Sequence, residues 1–532
     1  NFILHQFGGL HKLWDTPNMS LTSVKFLLFL VLTGIVYYVL PKKMQCYSLL
    51  VASIAFYCMA GVPWTFLYLF VSIITVYAGT ILMEQIRKKG LNRSQKFCRV
   101  IYVAVLLCNF GILAALKYTN FVIYNMQHVI HFLHLNWSVQ TVSWAASLGI
   151  SYYTLQMMSY LTDVYWGVQK PQHNFWQMAL FACFFPQMVS GPISRYSQLG
   201  IQLEQEHAFS LAQVESGAQR ILWGFLKKLV ISEKLAVIVN TIYADPVKYH
   251  GLYIWTAMLI FPVQIYADFS GCMDIVNGAA ECFGIMMPEN FRTPFFSKTI
   301  QEFWQRWHIT LGLWLKDYVM YPILKSETWI RMGQRLKKKY GKKAGKRIPL
   351  YSAMLILWFC NGIWHGNSWK YIVGVGLWYW FAIVTGQLLE PLFSKLTSFL
   401  HIPVQSVGWH IFQSVRTYVV YGFGALFFCA SDLRNGVFLV QCGLSEFNLK
   451  IFVDGSFCQM GLDIYDLVVV GIMTVFAFAV SLYGRNGSVR EKMRSWNPLV
   501  RGGAFVLLFV LVLIFGSYGN GYNASSFIYA KF

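Results

Sequence analysis

The sequence predicts an all-α polytopic membrane protein, and two features of its composition and one of its pattern support that prediction. Hydrophobic residues make up 56% of the 532 residues, whereas charged residues make up only 12%. A soluble domain carries about 25% charged residues, and so few charges cannot cover so much apolar surface. Apolar stretches close to the roughly 20 residues of a spanning helix recur along the chain. Disorder is excluded, because it requires low hydrophobicity and high net charge.

The predicted helices follow one another through a single integral membrane domain that covers residues 1–532. Its core spans about 100–392, and further spans occupy 409–518. We expect about 11–13 tilted transmembrane and re-entrant helices. The apolar runs lie near residues 24–40, 44–60, 62–83, 100–116, 140–161, 174–190, 218–243, 252–286, 350–364, 367–390, 409–430, 464–482 and 502–518.

Two of these runs carry additional signals. The run near 24–40 lacks a small-residue cleavage site, and it predicts a retained first span. The run near 174–190 leads into Gly191-Pro192 and contains Pro186. Such breakers predict a broken or re-entrant element that protein or a watery cavity surrounds.

Basic residues concentrate in three segments that predict the topology. Residues 87–99, 325–347 and 485–501 carry a net charge of +19 out of +21 for the whole chain. Basic clusters beside apolar spans mark the cytoplasmic side. We therefore predict a multi-pass protein of the cell membrane with both termini outside the cytoplasm. The stretch 325–349 is too polar to be buried and predicts a cytoplasmic loop or surface helix. Topology alone accounts for such clusters; attraction of the headgroups of anionic membrane lipids or of an anionic substrate would be an additional role, and no nucleic acid is expected.

Metal and disulfide sites are not predicted. The 11 cysteines are scattered without a CxxC pair, which argues against a disulfide framework or a zinc site. Three histidines with i, i+3, i+6 spacing resemble a metal pattern, but no carboxylate accompanies them: His128, His131 and His134. We predict no bound metal and no permanently bound cofactor.

The first block with candidate chemistry runs from Pro288 to Tyr318. Ser297 or Thr299 can cap a helix, and Glu302 and Arg306 are spaced to pair on it. The spacing predicts one continuous helix with two neighbouring faces. The first face holds Trp304, His308, Leu311 and Leu315, and the second holds Phe303, Trp307, Thr310 and Trp314. The block therefore predicts an interfacial helix that carries one histidine among tryptophans, with Asp317 close behind.

The second block places His365 between Gly362 and Gly366 inside an apolar run. Ionisable side chains at membrane depth are rare and mark functional sites. The two glycines would let another backbone or a thin ligand approach. Asn361 lies four residues earlier, so in a helix it would be placed to hold the His365 ring or a substrate.

These blocks and several others together resemble the membrane-bound O-acyltransferase family. Within it the likeness is to the bacterial branch that contains alginate O-acetyltransferase and the teichoic acid D-alanyl transfer protein. The likeness covers nearly the whole chain from about residue 24. It rests on Phe56-Tyr57, residues 116–121, 149–165, 185–196, 224–228, 266–274, 288–291 and 304–318, Trp364-His365-Gly366 and residues 526–532.

The resemblance implies a bundle of helices tilted around a central channel that is open to both faces. It implies that His365 is the principal catalytic residue and that His308 is the second polar residue of the site. Residues expected to bind substrate or support these two are Asn361, Trp304, Trp307, Trp364, Asp317 and Arg306. The chain departs from the alginate-type pattern at Ile323-Leu324-Lys325, which leaves the acyl group and the acceptor open.

The function implied is transfer of an acyl group, with acetyl preferred, from a cytoplasmic thioester to a hydroxyl outside the membrane. The donor would be acyl-CoA or an acyl-carrier protein with a phosphopantetheine thioester. The acceptor would be an extracellular polysaccharide or cell-wall polymer, reached directly or through an exported SGNH-type partner. A neutral imidazole suits the general base, so we expect His365 to take the hydroxyl proton in a ternary complex.

Four alternatives remain open, and one of them is a eukaryotic relative that acylates a lipid or a protein. D-alanyl transfer to teichoic acid would keep the family and change the acyl group. An acyl-enzyme route through Cys360 would add a covalent step, although no neighbouring residue in the sequence would lower the pKa of its thiol. A polytopic transporter without chemistry would use Asp268 and Asp274, which we expect instead to pair with lysine or backbone groups.

Overall fold

A computed structural model describes residues 19–90, 93–145 and 147–518. Both chain termini and residues 526–532, which contribute to the family resemblance, lie outside these ranges. The described residues fold into helices and connecting loops, and their β-structure is limited to one isolated bridge between Phe291 and Trp307. The all-α prediction is confirmed.

The helices are numbered here in chain order. The first eleven are α1 Val24–Val39, α2 Gln45–Ala60, α3 Phe66–Lys88, α4 Ser94–Phe132, α5 Ile150–Trp166, α6 Phe175–Cys183, α7 Phe185–Met188, α8 Ile201–Glu204, α9 Leu211–Phe225, α10 Glu233–Ala244 and α11 Leu252–Glu281. The remaining α-helices are α12 Ile300–Arg306, α13 Ile309–Leu315, α14 Tyr321–Lys325, α15 Glu327–His365, α16 Trp378–Leu388, α17 Glu390–Phe399, α18 Val407–Cys429, α19 Leu433–Gly443, α20 Ile464–Tyr483, α21 Val489–Arg494 and α22 Pro498–Phe515. Wider π-helical turns occur at Tyr196–Gly200, Leu226–Ser232, Lys316–Met320 and Tyr371–Leu377.

Seven helical segments of the described chain are long and apolar enough to cross a membrane. They are Lys42–Ala60, Pro63–Lys88, Ser94–Phe132, Leu252–Glu281, Tyr371–Leu388, Ile464–Tyr483 and Pro498–Phe515. Helix α1 is apolar but shorter. The run near 409–430 folds as the 23-residue α18, and the run near 350–364 forms the end of α15. The run near 174–190 folds as two short helices, which is compatible with the predicted re-entrant element. The protein is a multi-pass membrane protein.

The chain forms two compact units. Within the described residues, the first unit holds the chain up to Leu226, Gly271–Pro288 and the segment from Phe505. The second unit holds Lys227–Ser270 and Glu289–Ala504. Helix α11 passes from the second unit into the first.

The first unit is built around α5, nearly all of whose residues are buried. The broken element predicted near 174–190 packs there: α6 ends at Cys183, and only the short α7 follows. The Gln187 side chain donates to the Gln156 amide oxygen at 3.0 Å. At the break, the Phe181 carbonyl accepts from the Gln156 side chain at 2.7 Å and the Phe185 amide donates to the Ser53 hydroxyl at 3.1 Å. Because these bonds satisfy backbone groups inside the protein, the interrupted helix is compatible with a membrane interior.

The second unit has a core of aromatic rings contributed by α12, α15, α16 and α18. Trp304 packs against Trp358 at 5.1 Å and Tyr379 at 4.9 Å between ring centroids. Phe303 packs against Tyr421 at 4.1 Å. Large rings of this kind bury extensive apolar surface and so stabilise the core of the second unit.

The basic segment is helical, which confirms the surface-helix alternative. Helix α15 is interrupted at Gly341, whose φ of 86° and ψ of 173° are not helical. A Cβ at Gly345 would lie 2.8 Å from the Gly333 carbonyl oxygen, so the two limbs approach closely on either side of the break. We call residues 327–349 the basic hairpin. Its exposed basic residues are Arg331, Arg335, Lys337, Lys338, Lys339, Lys342, Lys343, Lys346 and Arg347.

The two aspartates that a transporter would have used are paired inside the protein. In the second unit, the Lys228 ammonium lies 2.5 Å from Asp268 and 2.6 Å from Glu233, and all three side chains are buried. In the first unit, the Arg220 guanidinium lies 3.0 Å from Asp274. Asp268 pairs with a lysine, as predicted, whereas the partner of Asp274 is an arginine; both agree with the rule that buried charges require partners.

Candidate active site

His308 lies at a break between α12 and α13, so the prediction of one continuous helix through this block is wrong. Thr299 caps α12 by accepting from the Glu302 amide, and α12 ends at Arg306. Trp307 is extended, with φ −115° and ψ 128°. His308 has φ 46° and ψ 51°, in the left-handed region that few residues other than glycine occupy. The stripe of Trp304, His308, Leu311 and Leu315 on one helical face therefore does not exist.

The preceding segment runs alongside this break and fixes it. Phe291 and Trp307 form the antiparallel bridge, and the Arg292 amide donates to the Arg306 carbonyl at 3.0 Å. The Ile309 amide donates to the Asn290 carbonyl at 3.0 Å. Tertiary hydrogen bonds thus replace the helical bonds that the sequence pattern predicts.

His365 is the last residue of α15, and the glycines beside it have the predicted effect. A Cβ at Gly362 would lie 2.8 Å from the Tyr371 carbonyl oxygen and from the Ile372 Cα. A Cβ at Gly366 would lie 2.2 Å from the Tyr371 ring. The absence of side chains at both positions lets the π-helical turn Tyr371–Leu377 pack directly against the end of α15.

The two histidines meet at one indole ring. The Trp364 ring centroid lies 5.4 Å from that of His308 and 5.1 Å from that of His365. Phe269 covers His308 at 4.8 Å, and Phe428 covers His365 at 5.8 Å.

Both imidazoles are enclosed in this conformation, since His365 is 1% and His308 is 2% exposed. Burial lowers the pKa of His308 to about 3, because desolvation disfavours the cation. The His308 imidazole is therefore neutral at physiological pH.

The other predicted site residues fall into two groups. Trp304 and Trp307 belong to the aromatic core, and Trp307 stacks on Phe303 at 5.4 Å. Arg306 pairs with Glu302 at 2.7 Å, as predicted, and also donates to Thr293.

Asp317 and Asn361 are placed differently. Asp317 is half-buried in the π-helical turn that follows α13. Asn361 is buried on α15, and its amide nitrogen has no hydrogen-bond partner among the described residues. A supporting role for Asn361 at His365 stays a prediction.

Two residues near the histidines were missed by sequence reasoning. The Lys370 ammonium donates to the carbonyls of Phe428 and Ala430, and so holds the end of α18 where Phe428 contacts His365. Asn290 contacts the residues around His308. Lys370 is a lone lysine after Trp369 and carries no sequence signal. Asn290 stands within the Pro288-Glu-Asn-Phe291 motif, which indicates the family but not the residue's role.

Comparison with known proteins identifies the family. Residues 168–334 match the sequence profile of MBOAT, the membrane-bound O-acyltransferase family. The chain is 30% identical over 415 residues to the probable alginate O-acetylase AlgI of Pseudomonas syringae pv. tomato, covering 76% of this chain and 74% of the relative. It is 26% identical to the peptidoglycan O-acetyltransferase of Helicobacter pylori, over 61% of each chain.

A third relative is the teichoic acid D-alanyltransferase of Bacillus subtilis, 30% identical over 42% of this chain and 55% of the relative. Helical fold, membrane spans and these similarities define an acyltransferase embedded in the membrane. The chain belongs to the membrane-bound O-acyltransferase family.

Proposed function

We propose that the protein transfers an acetyl group from a cytoplasmic thioester to a hydroxyl of an extracellular polysaccharide or cell-wall polymer. The alginate and peptidoglycan acetylating relatives match more of the chain than the D-alanyl relative does. The observation that carries the proposal is the shared contact of His308 and His365 with Trp364, because it brings two imidazoles into one buried cluster.

In the proposed reaction, His365 takes the proton of the acceptor hydroxyl as its oxygen attacks the thioester carbonyl. The C–S bond breaks, the thiolate leaves, and the imidazolium returns its proton to the sulfur. A positioned base of this kind contributes about 10²–10⁴-fold to the rate. His308 orients the thioester or the acceptor. The rest of the rate acceleration comes from proximity, because the site holds both reactants together.

Both substrates must reach a site that is closed in this conformation. Phe428 and Phe269 cover the two rings, so entry requires these side chains and their helices to move. The channel implied by the family resemblance is the proposed route, with the thioester entering from the cytoplasm and the hydroxyl from outside. Gated entry would also keep water away from the thioester.

The basic hairpin is the proposed docking surface for the donor. It presents nine exposed basic residues, and Glu327 is already paired with Arg331 at 2.6 Å. Four of these residues, Lys342, Lys343, Lys346 and Arg347, lie on the limb that follows the break at Gly341 and ends at His365. Phosphates of CoA, or an acidic carrier protein, would be attracted to this surface and aligned with the site.

The proposed topology places the basic hairpin in the cytoplasm and both termini outside. Residues 485–501 are also basic and would lie on the cytoplasmic side before the last span. An exported SGNH-type partner would receive the acyl group if transfer to the polymer is indirect.

The test is mass analysis of cell-surface polymers from cells that carry the wild-type protein, His365→Ala, or no copy. Alkali-labile acetate should be lost in the variant and in the cells without the protein, while the variant still inserts at wild-type level. Alkali-labile D-alanine in place of acetate would identify the alternative acyl group. Normal acylation by His365→Ala at matched expression would refute the catalytic assignment.

A further inference from the structure

Asn290 holds the backbone and the side chain of the break at His308. It lies in the loop before α12 and is 1% exposed. Its amide oxygen accepts from the Thr310 amide at 3.0 Å and from the Thr310 hydroxyl at 2.8 Å. Its own carbonyl accepts from the Ile309 amide. One asparagine therefore binds the first turn of α13 immediately after the histidine.

The left-handed conformation of His308 needs such an anchor. For an L-residue this conformation is sterically strained, and it persists only where the surroundings determine it. The bridge between Phe291 and Trp307 holds the residue on one side of His308, and Asn290 holds the two residues on the other side. The Asn290 contacts thus determine where the imidazole points.

The same amide oxygen also defines the chemistry of the ring. The Thr310 amide is a donor, so the Asn290 atom that faces it must be the oxygen, which only accepts. His308 Nδ1 lies 3.4 Å from this oxygen, a long hydrogen bond. Because this oxygen can only accept a hydrogen bond, the ring nitrogen that faces it must carry the hydrogen. The contact therefore favours the tautomer with hydrogen on Nδ1 and a lone pair on Nε2.

We infer that Asn290 is a positioning residue that keeps His308 in the Nδ1–H tautomer, with Nε2 as a hydrogen-bond acceptor. This inference rests on the proposed function and narrows it. A thioester carbonyl has no hydrogen to donate, so a lone pair on Nε2 cannot bind it. A sugar acceptor has hydrogens to donate to Nε2, because it carries further hydroxyls beside the one that reacts. His308 therefore binds a second hydroxyl of the polymer, and His365 deprotonates the first.

The test compares Asn290→Ala with Asn290→Asp in permeabilised cells that otherwise lack the protein, across a neutral to alkaline pH series. The quantity measured is alkali-labile acyl ester, acetate and D-alanine together, per amount of inserted protein. Asn290→Ala should lose about 100-fold, as expected when a catalytic group is misplaced by about 1 Å. Asn290→Asp keeps the acceptor oxygen and should retain activity within about tenfold at alkaline pH.

The pH profile separates positioning from packing. The carboxylate that Asn290→Asp introduces would favour the His308 imidazolium, which has no lone pair on Nε2. Uncharged Phe269, Trp364 and Asn290 contact this ring. The charged Asp268 precedes Phe269 and is paired with Lys228, and the titratable His365 contacts the same Trp364. Asn290→Asp should therefore lose activity as the pH falls, at a pH where the wild type is still active.

Controls keep failure of this inference apart from failure of the proposed function. Asn109→Ala removes a buried asparagine of the first unit, and it should leave both activity and pH profile unchanged. If His308→Ala and His365→Ala remain active, the proposed function fails. If those variants are inactive but Asn290→Ala is wild-type, or Asn290→Asp is as inactive as Asn290→Ala at every pH, the positioning role is overturned.

Discussion

The two histidines of the site are held in opposite ways. His365 ends a long helix, and small residues let its neighbours pack against a regular backbone. His308 sits in a left-handed break between two short helices, where hydrogen bonds from a separate segment hold it. The helical position depends on local pattern and steric fit. The conformation of His308 depends on hydrogen bonds to another segment, so it should be sensitive to substitutions distant in sequence.

The largest expected effect is on the stability of the protein and comes from the buried ion pairs of Lys228. Lys228→Met should leave Asp268 and Glu233 without their cation, and it should destabilise the protein by about 3–5 kcal/mol. Asp268 precedes Phe269, which covers His308. The measurement is the apparent melting temperature in detergent. Lys88→Met, which removes an exposed pair with Glu84, is the control and should change it little.

A smaller effect is expected on the His365 side. Gly362→Ala would push a methyl group against the backbone of Tyr371 and Ile372, and overpacking of this kind costs about 1–3 kcal/mol. The variant should melt at a lower temperature and lose acyl transfer. Gly386→Ala is the matched control, because that helical glycine has open space around it. An unchanged melting temperature for Gly362→Ala would mean that the close approach is not needed.

Glycine and alanine at the two histidine positions should give opposite orders of stability. At His308, glycine should be more stable than alanine by about 1–2 kcal/mol, because only alanine bears the cost of the left-handed backbone. At His365, alanine should be more stable than glycine by about 0.5–1 kcal/mol, because the residue is helical. The measurement is the melting temperature of the four variants, with glycine and alanine at each of the two positions. The same order at both positions would contradict the difference between the two sites.

The smallest effect is expected at the start of α12. Thr299→Ala removes the oxygen that accepts from the Glu302 amide, and loss of such a cap costs about 1 kcal/mol. Thr299→Ser keeps the hydroxyl and should restore the wild-type melting temperature. If Thr299→Ala and Thr299→Ser have the same melting temperature, the cap does not contribute to the stability of α12.

Much of the fold could be predicted from the sequence. Composition determines that the chain lies in a membrane, since its apolar surface exceeds what 12% charged residues can cover. Helical periodicity and caps place Thr299, the Glu302–Arg306 pair and the glycines beside His365. These features depend on neighbours within a few residues, and so the sequence carries them directly.

The tertiary structure alone decided the form of the site. Periodicity continued through Trp307 and His308, yet the helix breaks there, because Asn290, Phe291 and Arg292 offer hydrogen bonds that the local sequence does not reveal. The same holds for the meeting of both imidazoles at Trp364 and for Lys370 at the end of α18. Periodicity reports contacts three or four residues apart, whereas these contacts join segments tens of residues apart. Only the folded chain brings those segments together.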